Sequence, residues 1–205
     1  MGRYTGPQHK LCRREGTPLC DSPKCPARGK RKYPPGVHGA KGYPRNLSVY
    51  GQQLRAKQRA KRMYGMLERQ FKRFFEEATR LKGNTAETLL KMLESRLDNI
   101  IYRLGIAQTR PQARQFVTHG HILINGKKMD VPSYVVKKED FISFRGRAEK
   151  SEFFKDCLAG MGKKDRAEWL LWDDAKKQAK VIGEPEIENL IEMLQPNMIV
   201  ELYSK

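Results

Sequence analysis

Positive charge is crowded into the first third of this chain. Residues 1–75 contain 19 Lys and Arg against 3 Asp and Glu, whereas the other 130 residues contain 22 against 20. A segment with this much positive charge repels itself unless a polyanion neutralises it. Nucleic acid is the natural partner, because condensed counterions are released when its phosphates are neutralised. A membrane surface, an acidic protein and a merely solubilising tail are the alternatives. We interpret the segment as a nucleic-acid interface.

The first 48 residues cannot build a hydrophobic core by themselves. They are rich in Gly, Pro, Lys and Arg, and large aliphatic side chains such as Leu11, Leu19 and Val37 are few. Such a segment must be disordered alone, held by a metal, or ordered on its partner.

The chain of 205 residues lacks an apolar run of about 18 residues and begins without an apolar signal segment. We therefore expect neither a transmembrane helix nor secretion. A reducing, cytoplasmic compartment follows as the default. The four cysteines are then predicted to be thiols or metal ligands rather than disulfides.

Four candidate metal ligands lie within 17 residues of the N-terminal segment: His9, Cys12, Cys20 and Cys25. Thiolates and an imidazole at these separations suit tetrahedral Zn²⁺. The predicted role is structural, because four protein ligands leave no coordination position open for catalysis. His38 is an alternative fourth ligand. If no metal binds, the interpretation is three unconnected cysteines and a surface histidine.

Apolar periodicity predicts three helices after Ser48. The first covers 54–62, which consists of good helix formers. The second ends near Gly83 and carries an apolar stripe of Leu67, Phe71, Phe74, Ala78 and Leu81. The third begins near Thr85, closes at Gly105 and carries Leu89, Leu90, Leu93, Leu97, Ile100, Ile101 and Leu104.

Residues 95–145 are predicted to form a small α+β unit. Thr109 is a candidate N-cap with Gln112 three residues later, which indicates a short helix ending at 119–120. Asn125-Gly126 between two extended runs predicts a β-hairpin. Further short strands are expected at Val131, 134–136 and 141–144. In the C-terminal stretch we expect helices at about 153–161 and 186–194 and a final strand at 199–203.

A second basic group lies in this α+β unit. Arg110 and Arg114 are four residues apart on the short helix, so they share one face. With the basic turn that follows, this face could track an RNA backbone, and Arg is the fork-like phosphate donor. The full set of predicted RNA-binding residues is Arg3, Lys10, Arg13, Arg14, Arg55, Lys57, Arg59, Lys61, Arg62, Arg69, Arg73, Arg110, Arg114, Gln115, His119, His121, Asn125, Lys127 and Lys128.

Catalytic signatures are missing from the sequence. None of the Gly-Lys pairs at 29, 126 and 162 has the surrounding residues of a phosphate-binding Walker A loop. The patterns H-E-x-x-H, G-x-S-x-G and G-x-G-x-x-G do not occur either. We therefore predict a protein that is not an enzyme and has no small-molecule substrate.

Three stretches of the chain resemble a small RNA-binding module. They are Glu94-Ser95-Arg96-Leu97-Asp98-Asn99, Ala113-Arg114-Gln115-Phe116-Val117 followed by His119-Gly120-His121-Ile122, and Asn125-Gly126. This module was first named for the fourth protein of the small ribosomal subunit. It also occurs in pseudouridine synthases and tyrosyl-tRNA synthetases.

Further motifs extend the resemblance to essentially the whole chain. The family of bacterial small-subunit ribosomal protein four is similar in Met1-Gly2-Arg3-Tyr4-x-Gly6-Pro7, Pro34-Pro35-Gly36-x-His38-Gly39, Gln70-Phe71 with Phe75-Glu76-Glu77-Ala78, and Ile199-Val200-Glu201-x-Tyr203-Ser204. His9 stands where zinc-binding members have the first of four cysteines. Cys12, Cys20 and Cys25 match the other three in order.

The resemblance implies an α+β fold in several parts. A basic, zinc-pinned N-terminal extension covers 1–48 and a helical domain covers 49–93. The RNA-binding module is inserted as 94–157, and the C-terminal region, 158–205, packs back on the helical domain.

The same resemblance implies a primary binder of small-subunit ribosomal RNA that nucleates assembly. It also implies contact with ribosomal protein five of that subunit, an influence on translational accuracy, and a position near the mRNA entry path in cytoplasmic or organellar ribosomes. An RNA-modifying enzyme with the same module is one rival, but the 60 residues after 145 are too few for its catalytic domain. A factor that binds stalled small subunits is the other.

Overall fold

The computed structural model of the chain describes residues 4–20, 22–29, 31, 33–40, 46–146, 151–159 and 167–204. Its backbone divides into two compact units, Met1–Leu90 with Glu188–Lys205, and Lys91–Ile187. Two predictions, an RNA contact by Arg3 and a helical Met161, lie outside the described residues. Along the described part of the chain, no helix combines the length and the apolar character that crossing a bilayer requires.

The first unit is helical. Its elements are α1 (Gln8–Glu15), a short 3-10 helix (Pro26–Arg28), α2 (Val49–Met63), α3 (Glu68–Arg80), most of α4 (Thr85–Glu94), and the C-terminal helices α8 (Glu188–Leu194) and α9 (Pro196–Tyr203). Ser48 starts α2 as its N-cap, since the Ser48 hydroxyl accepts a hydrogen bond from the backbone N–H of Gly51.

The last secondary-structure element is a helix, so the predicted strand at 199–203 is wrong. Pro196 occupies the first turn of α9, where its missing N–H costs nothing. Ile199 is fully buried, and Tyr203 stacks on Phe75 of α3 with ring centroids 4.5 Å apart. The Ile-Val pair in this segment favours a strand locally, and packing against α2 and α3 overrides that preference.

The structure confirms only the centre of the apolar stripe that was predicted for α3. Phe71, Phe74 and Ala78 are buried, whereas Leu67 and Leu81 are 49% and 54% exposed. Leu67 and Leu81 are the N-cap and C-cap residues of the helix, and their backbone is extended. Their side chains therefore do not continue the helical face that the three central residues form.

The second unit is an α+β structure. It contains α5 (Leu97–Arg103), α6 (Arg110–Thr118), β1 (Ile122–Ile124), β2 (Lys127–Lys128), β3 (Phe141–Phe144), α7 (Glu152–Ala159), β4 (Leu170–Asp173) and β5 (Gln178–Val181). The strands form one antiparallel sheet in the order β2-β1-β3-β5-β4. A helical unit joined to this mixed unit confirms the predicted α+β class.

The third predicted helix is in fact two helices. Helix α4 ends at Glu94 and α5 begins at Leu97, with Arg96 extended between them. Arg96 pairs with Val135 in an isolated β-bridge, and the Leu97 N–H donates to the Tyr134 carbonyl at 2.8 Å. The strand expected at 134–136 is reduced to this bridge, and Val131 is exposed and not in a strand.

Local signals in the module are confirmed. Thr109 Oγ1 accepts from the Gln112 backbone N–H at 3.4 Å and starts α6. Asn125 and Gly126 have φ of 49° and 77°, the left-handed pair that a type I′ hairpin turn requires.

The β4–β5 hairpin was not predicted, and it changes the expected domain division. Strand β5 pairs with β3, so these residues belong to the sheet of the second unit. Only α8 and α9 of the region 158–205 lie with the helical unit. The boundary expected at residue 157 therefore differs from the observed one, which follows Ile187.

Candidate metal cluster and nucleic-acid interface

Three cysteines of the N-terminal segment come together in space. The sulfur atoms of Cys12, Cys20 and Cys25, here called the cysteine cluster, all lie within 4.8 Å of one another. The Cys12 and Cys20 sulfur atoms are 3.5 Å apart. Tetrahedral zinc with Zn–S bonds of about 2.3 Å places its sulfur ligands about 3.8 Å apart. The cluster therefore fits three of the four positions of a structural zinc site.

The cysteine cluster is largely shielded from water. Cys12 and Cys25 are buried and pack with Leu19, Ala27 and Met63. Burial, followed by hydrogen bonds with Cys25 and Cys12, raises the pKa of the Cys20 thiol to about 12. The Cys20 thiol therefore keeps its proton unless a metal ion displaces it.

The predicted fourth ligand does not lie with the three sulfur atoms. His9, in the first turn of α1, is exposed and outside the cysteine cluster. His38, the alternative, is exposed and outside it too. His9 lies one helical turn before Cys12 in α1, and its side chain is exposed whereas that of Cys12 is buried.

All five of the basic side chains predicted as RNA contacts on α2 are already paired within the protein. The guanidinium groups of Arg55 and Arg62 both contact Oε1 of the buried Glu15. Arg59 donates to the Met193 carbonyl at 2.8 Å. Lys57 and Lys61 both contact Glu68, as described next. These five side chains are partly exposed, so their charges can still be reached from the solvent. Because each is held by a partner, the charges are ordered rather than freely moving.

Glu68 joins two lysines of α2 to the C-terminal helix. Its carboxylate accepts from Lys57 Nζ at 2.6 Å, Lys61 Nζ at 2.8 Å and the Tyr203 hydroxyl at 3.2 Å. Burial acts to raise the pKa of Glu68, but the hydrogen bonds from the two lysines outweigh it and lower that pKa to about 2. Residues 1–75 contain three acidic residues, and two of them, Glu15 and Glu68, hold the basic face of α2. The scarcity of acidic residues was the sequence signal that could have identified them.

Other basic residues of the first unit remain available to a ligand. Lys10, Arg14, Arg69 and Arg73 are exposed on α1 and α3. Arg13 differs, because it donates to the carbonyls of residues 33 and 34 and lies 4.7 Å from the Tyr33 ring centroid. It therefore fastens the proline-rich stretch to α1.

In the second unit, the Glu94–Asn99 motif forms a buried polar network. Asp98 accepts from Arg96 Nη2 at 2.9 Å and from Arg114 Nη1 at 3.2 Å. Arg96 is fully buried, and the Arg114 side chain is only 11% exposed. Arg114 is therefore tied to the protein core as well as being a predicted RNA contact.

The other half of the network fixes Arg110. Glu94 accepts from Asn99 and, through both carboxylate oxygens, from Arg103 at 2.7 and 3.0 Å. Arg110 donates to Asn99 Oδ1 at 3.1 Å and lies 4.4 Å from the ring centroid of Tyr102. The motif that carries the resemblance thus consists largely of side chains that position α4, α5 and α6.

The hairpin turn and the end of α6 form an exposed polar and basic surface on the module. Gln115, His119, Asn125, Lys127 and Lys128 are exposed, and His121 is half-buried with its ring 5.9 Å from that of His119. Gly120 has a φ of +69°, a left-handed backbone conformation that favours glycine at this position. Lys128 also contacts Asp130 at 3.2 Å, and Asn125 holds Asp140 at 2.8 Å.

Two family models match the basic helical part with its thiol cluster and the α+β module with its exposed basic turn, and they make the chain an S4-domain protein. The model of the ribosomal protein S4/S9 N-terminal domain matches residues 3–94, and that of the S4 domain matches residues 95–142. The small ribosomal subunit proteins uS4 of Thermoanaerobacter sp. (strain X514) and Acetivibrio thermocellus are 48% and 46% identical to the chain. That of Bacteroides fragilis is 46% identical. Each similarity covers 100% of both chains.

The chain belongs to the uS4 family of small ribosomal subunit proteins. Its members are named as ribosomal proteins and not as enzymes, which confirms the prediction that the chain is not an enzyme.

Proposed function

We propose that the chain is a structural component of the small ribosomal subunit that binds ribosomal RNA through both of its units. The observation that carries this proposal is the full-length similarity to uS4 proteins together with a charge excess confined to one end. Positively charged residues of the first unit neutralise phosphates, and the module fixes the position of the protein on folded RNA.

We further propose the finer roles that the family resemblance implied. These are early binding that nucleates assembly, contact with ribosomal protein five, an influence on accuracy, a position near the mRNA entry path, and a cytoplasmic location. The test is the protein composition of purified small subunits after high-salt washing. One copy per particle supports the proposal, whereas presence only on stalled particles supports the quality-control alternative. In reconstitution, omission of the chain should block the binding of later proteins.

The hairpin turn offers the cleanest test of RNA contact, because Lys127 is exposed and no described partner holds its side chain. Lys127→Ala should weaken binding to small-subunit ribosomal RNA and reduce the slope of log affinity against log salt by about one. Lys176→Ala is the matched control, since Lys176 is exposed in the β4–β5 turn of the same unit. Equal salt slopes for the two variants would contradict an RNA contact at the Asn125-Gly126 turn.

We also propose a structural zinc ion held by the cysteine cluster. A closed tetrahedral site needs a fourth donor. We propose that His9, which is exposed and lies one helical turn before Cys12, moves into that position when zinc binds. Bound zinc would hold together a segment whose own apolar cluster is small.

Cys12→Ser should abolish zinc binding, because it removes a buried sulfur from the cysteine cluster. Mass-spectrometric metal analysis of the purified wild-type chain should give about one zinc per molecule. Cys157→Ser is the matched control, since Cys157 is the remaining cysteine and lies outside the cluster. A wild-type chain that stays free of zinc after metal loading, or a Cys12→Ser variant that retains it, would refute the site.

A further inference from the structure

Glu15 connects the cysteine cluster to helix α2. It lies at the end of α1, three residues after Cys12, and both side chains are buried. The Glu15 side chain is fully buried, and its Oε1 contacts Nη1 of Arg55 at 3.1 Å as well as Nη1 of Arg62. Met63, the last residue of α2, packs against the cysteine cluster. Glu15 therefore links the cysteine cluster, whose Cys12 lies three residues before it in α1, to the two arginines of α2 that its carboxylate contacts.

A carboxylate at this position destabilises the fold unless both arginines are present. Burial of a charge costs several kcal/mol of desolvation. The negative end of the α1 dipole also opposes an acidic side chain in the last turn. Glu15 therefore needs the guanidinium groups that contact it, and it holds them in return.

The two arginines keep donors for another anion. Arg55 and Arg62 are seven residues apart on α2, which places them two turns apart on one face. Each guanidinium has five N–H donors, and Glu15 takes one from each. Their side chains are 25% and 23% exposed, so the other donors can reach a phosphate at the surface.

We infer that Glu15 is a positioning residue that couples metal binding at the cysteine cluster to RNA binding by Arg55 and Arg62. This inference rests on the proposed zinc and RNA functions. Metal closes the segment from Cys12 to Cys25 and fixes the last turn of α1. Glu15 then holds both guanidinium groups in place before RNA arrives, which lowers the entropy cost of binding. Without metal, the segment has little apolar contact to keep Glu15 there.

Simple charge neutralisation predicts the opposite result. If Glu15 only reduced the positive charge of the surface, its removal would add a net charge of about one and strengthen RNA binding. A positioning role predicts weaker binding when Glu15 is neutralised. It also predicts reciprocity, because RNA must raise the affinity for zinc by the same factor by which zinc raises the affinity for RNA.

The experiment measures the affinity of the full chain for small-subunit ribosomal RNA with zinc bound and after chelation. The ratio of the two affinities is the coupling factor. For the wild-type chain we expect about tenfold, within the usual range for coupled sites. For Glu15→Gln we expect a factor near one and, in the zinc-loaded form, weaker RNA binding than wild type.

Glu68→Gln is the matched control. It removes the same charge and also leaves two basic side chains of α2 without their carboxylate, but it does not contact the cysteine segment. It should retain the wild-type coupling factor. If far-UV circular dichroism shows that Glu15→Gln is unfolded, Glu15→Asp replaces it, because it keeps the charge and withdraws the carboxylate.

Different outcomes would overturn the proposed function and the inference that rests on it. A wild-type chain that binds no zinc or no RNA overturns the proposed function. A wild-type chain that binds both with a coupling factor of one overturns the inference alone. The same holds for a Glu15→Gln variant that keeps the wild-type factor or binds RNA more tightly.

Discussion

Replacing Asp98 with alanine is expected to lower the free energy of unfolding of the second unit by about 3–5 kcal/mol. The Arg96 side chain is fully buried, and Asp98 accepts from its Nε at 3.1 Å and its Nη2 at 2.9 Å. Without Asp98 the guanidinium of Arg96 loses the carboxylate that accepts from its Nε and Nη2, in a site from which water is excluded. Breaking one side of a buried pair costs far more than the pair itself contributes.

Urea unfolding followed by tryptophan fluorescence measures this effect, since both tryptophans, Trp169 and Trp172, lie in the second unit. Asp130→Ala is the matched control. Asp130 is 54% exposed and pairs with the exposed Lys128, so its loss should cost no more than about 1 kcal/mol. If the Asp98→Ala and Asp130→Ala variants unfold at the same urea concentration, the buried network does not have the stabilising role described.

The same network shows where the sequence was sufficient and where it was not. Signals between adjacent residues, such as the Thr109 cap and the Asn125-Gly126 turn, predicted their structures correctly because the physics is local. The break at Arg96 was missed because apolar residues continue at helical spacing on both sides of it. Its cause is a bridge to Val135, nearly 40 residues away in the sequence.

Charge patterns predicted an interface but not the order within it. The excess of basic residues before residue 75 indicated a polyanionic partner. Nothing in their spacing showed that Glu15 and Glu68 each hold two of them, since these contacts span 7 to 47 residues. The β4–β5 hairpin was missed for a different reason. Asp173 forms its turn by accepting from the backbone N–H groups of residues 175 and 176, without an Asn-Gly signal.

Phe71→Ala is expected to destabilise the helical unit by about 3–5 kcal/mol. Phe71 is fully buried at the centre of α3, so its removal loses the transfer energy of an aromatic ring and leaves a cavity. Leu81→Ala is the control from the same predicted stripe. Because Leu81 is 54% exposed at the end of the helix, its truncation should change stability by about 0.5 kcal/mol or less.

Urea unfolding followed by circular dichroism at 222 nm compares these variants, because the first unit contains no tryptophan. The sequence pattern treats Phe71 and Leu81 as equivalent members of one apolar face, whereas the structure separates them by burial. A large, equal loss for both variants would favour the sequence pattern and place Leu81 in a core. A large loss for Phe71→Ala alone shows that α3 is anchored in the core by its central residues and that Leu81 lies outside that core.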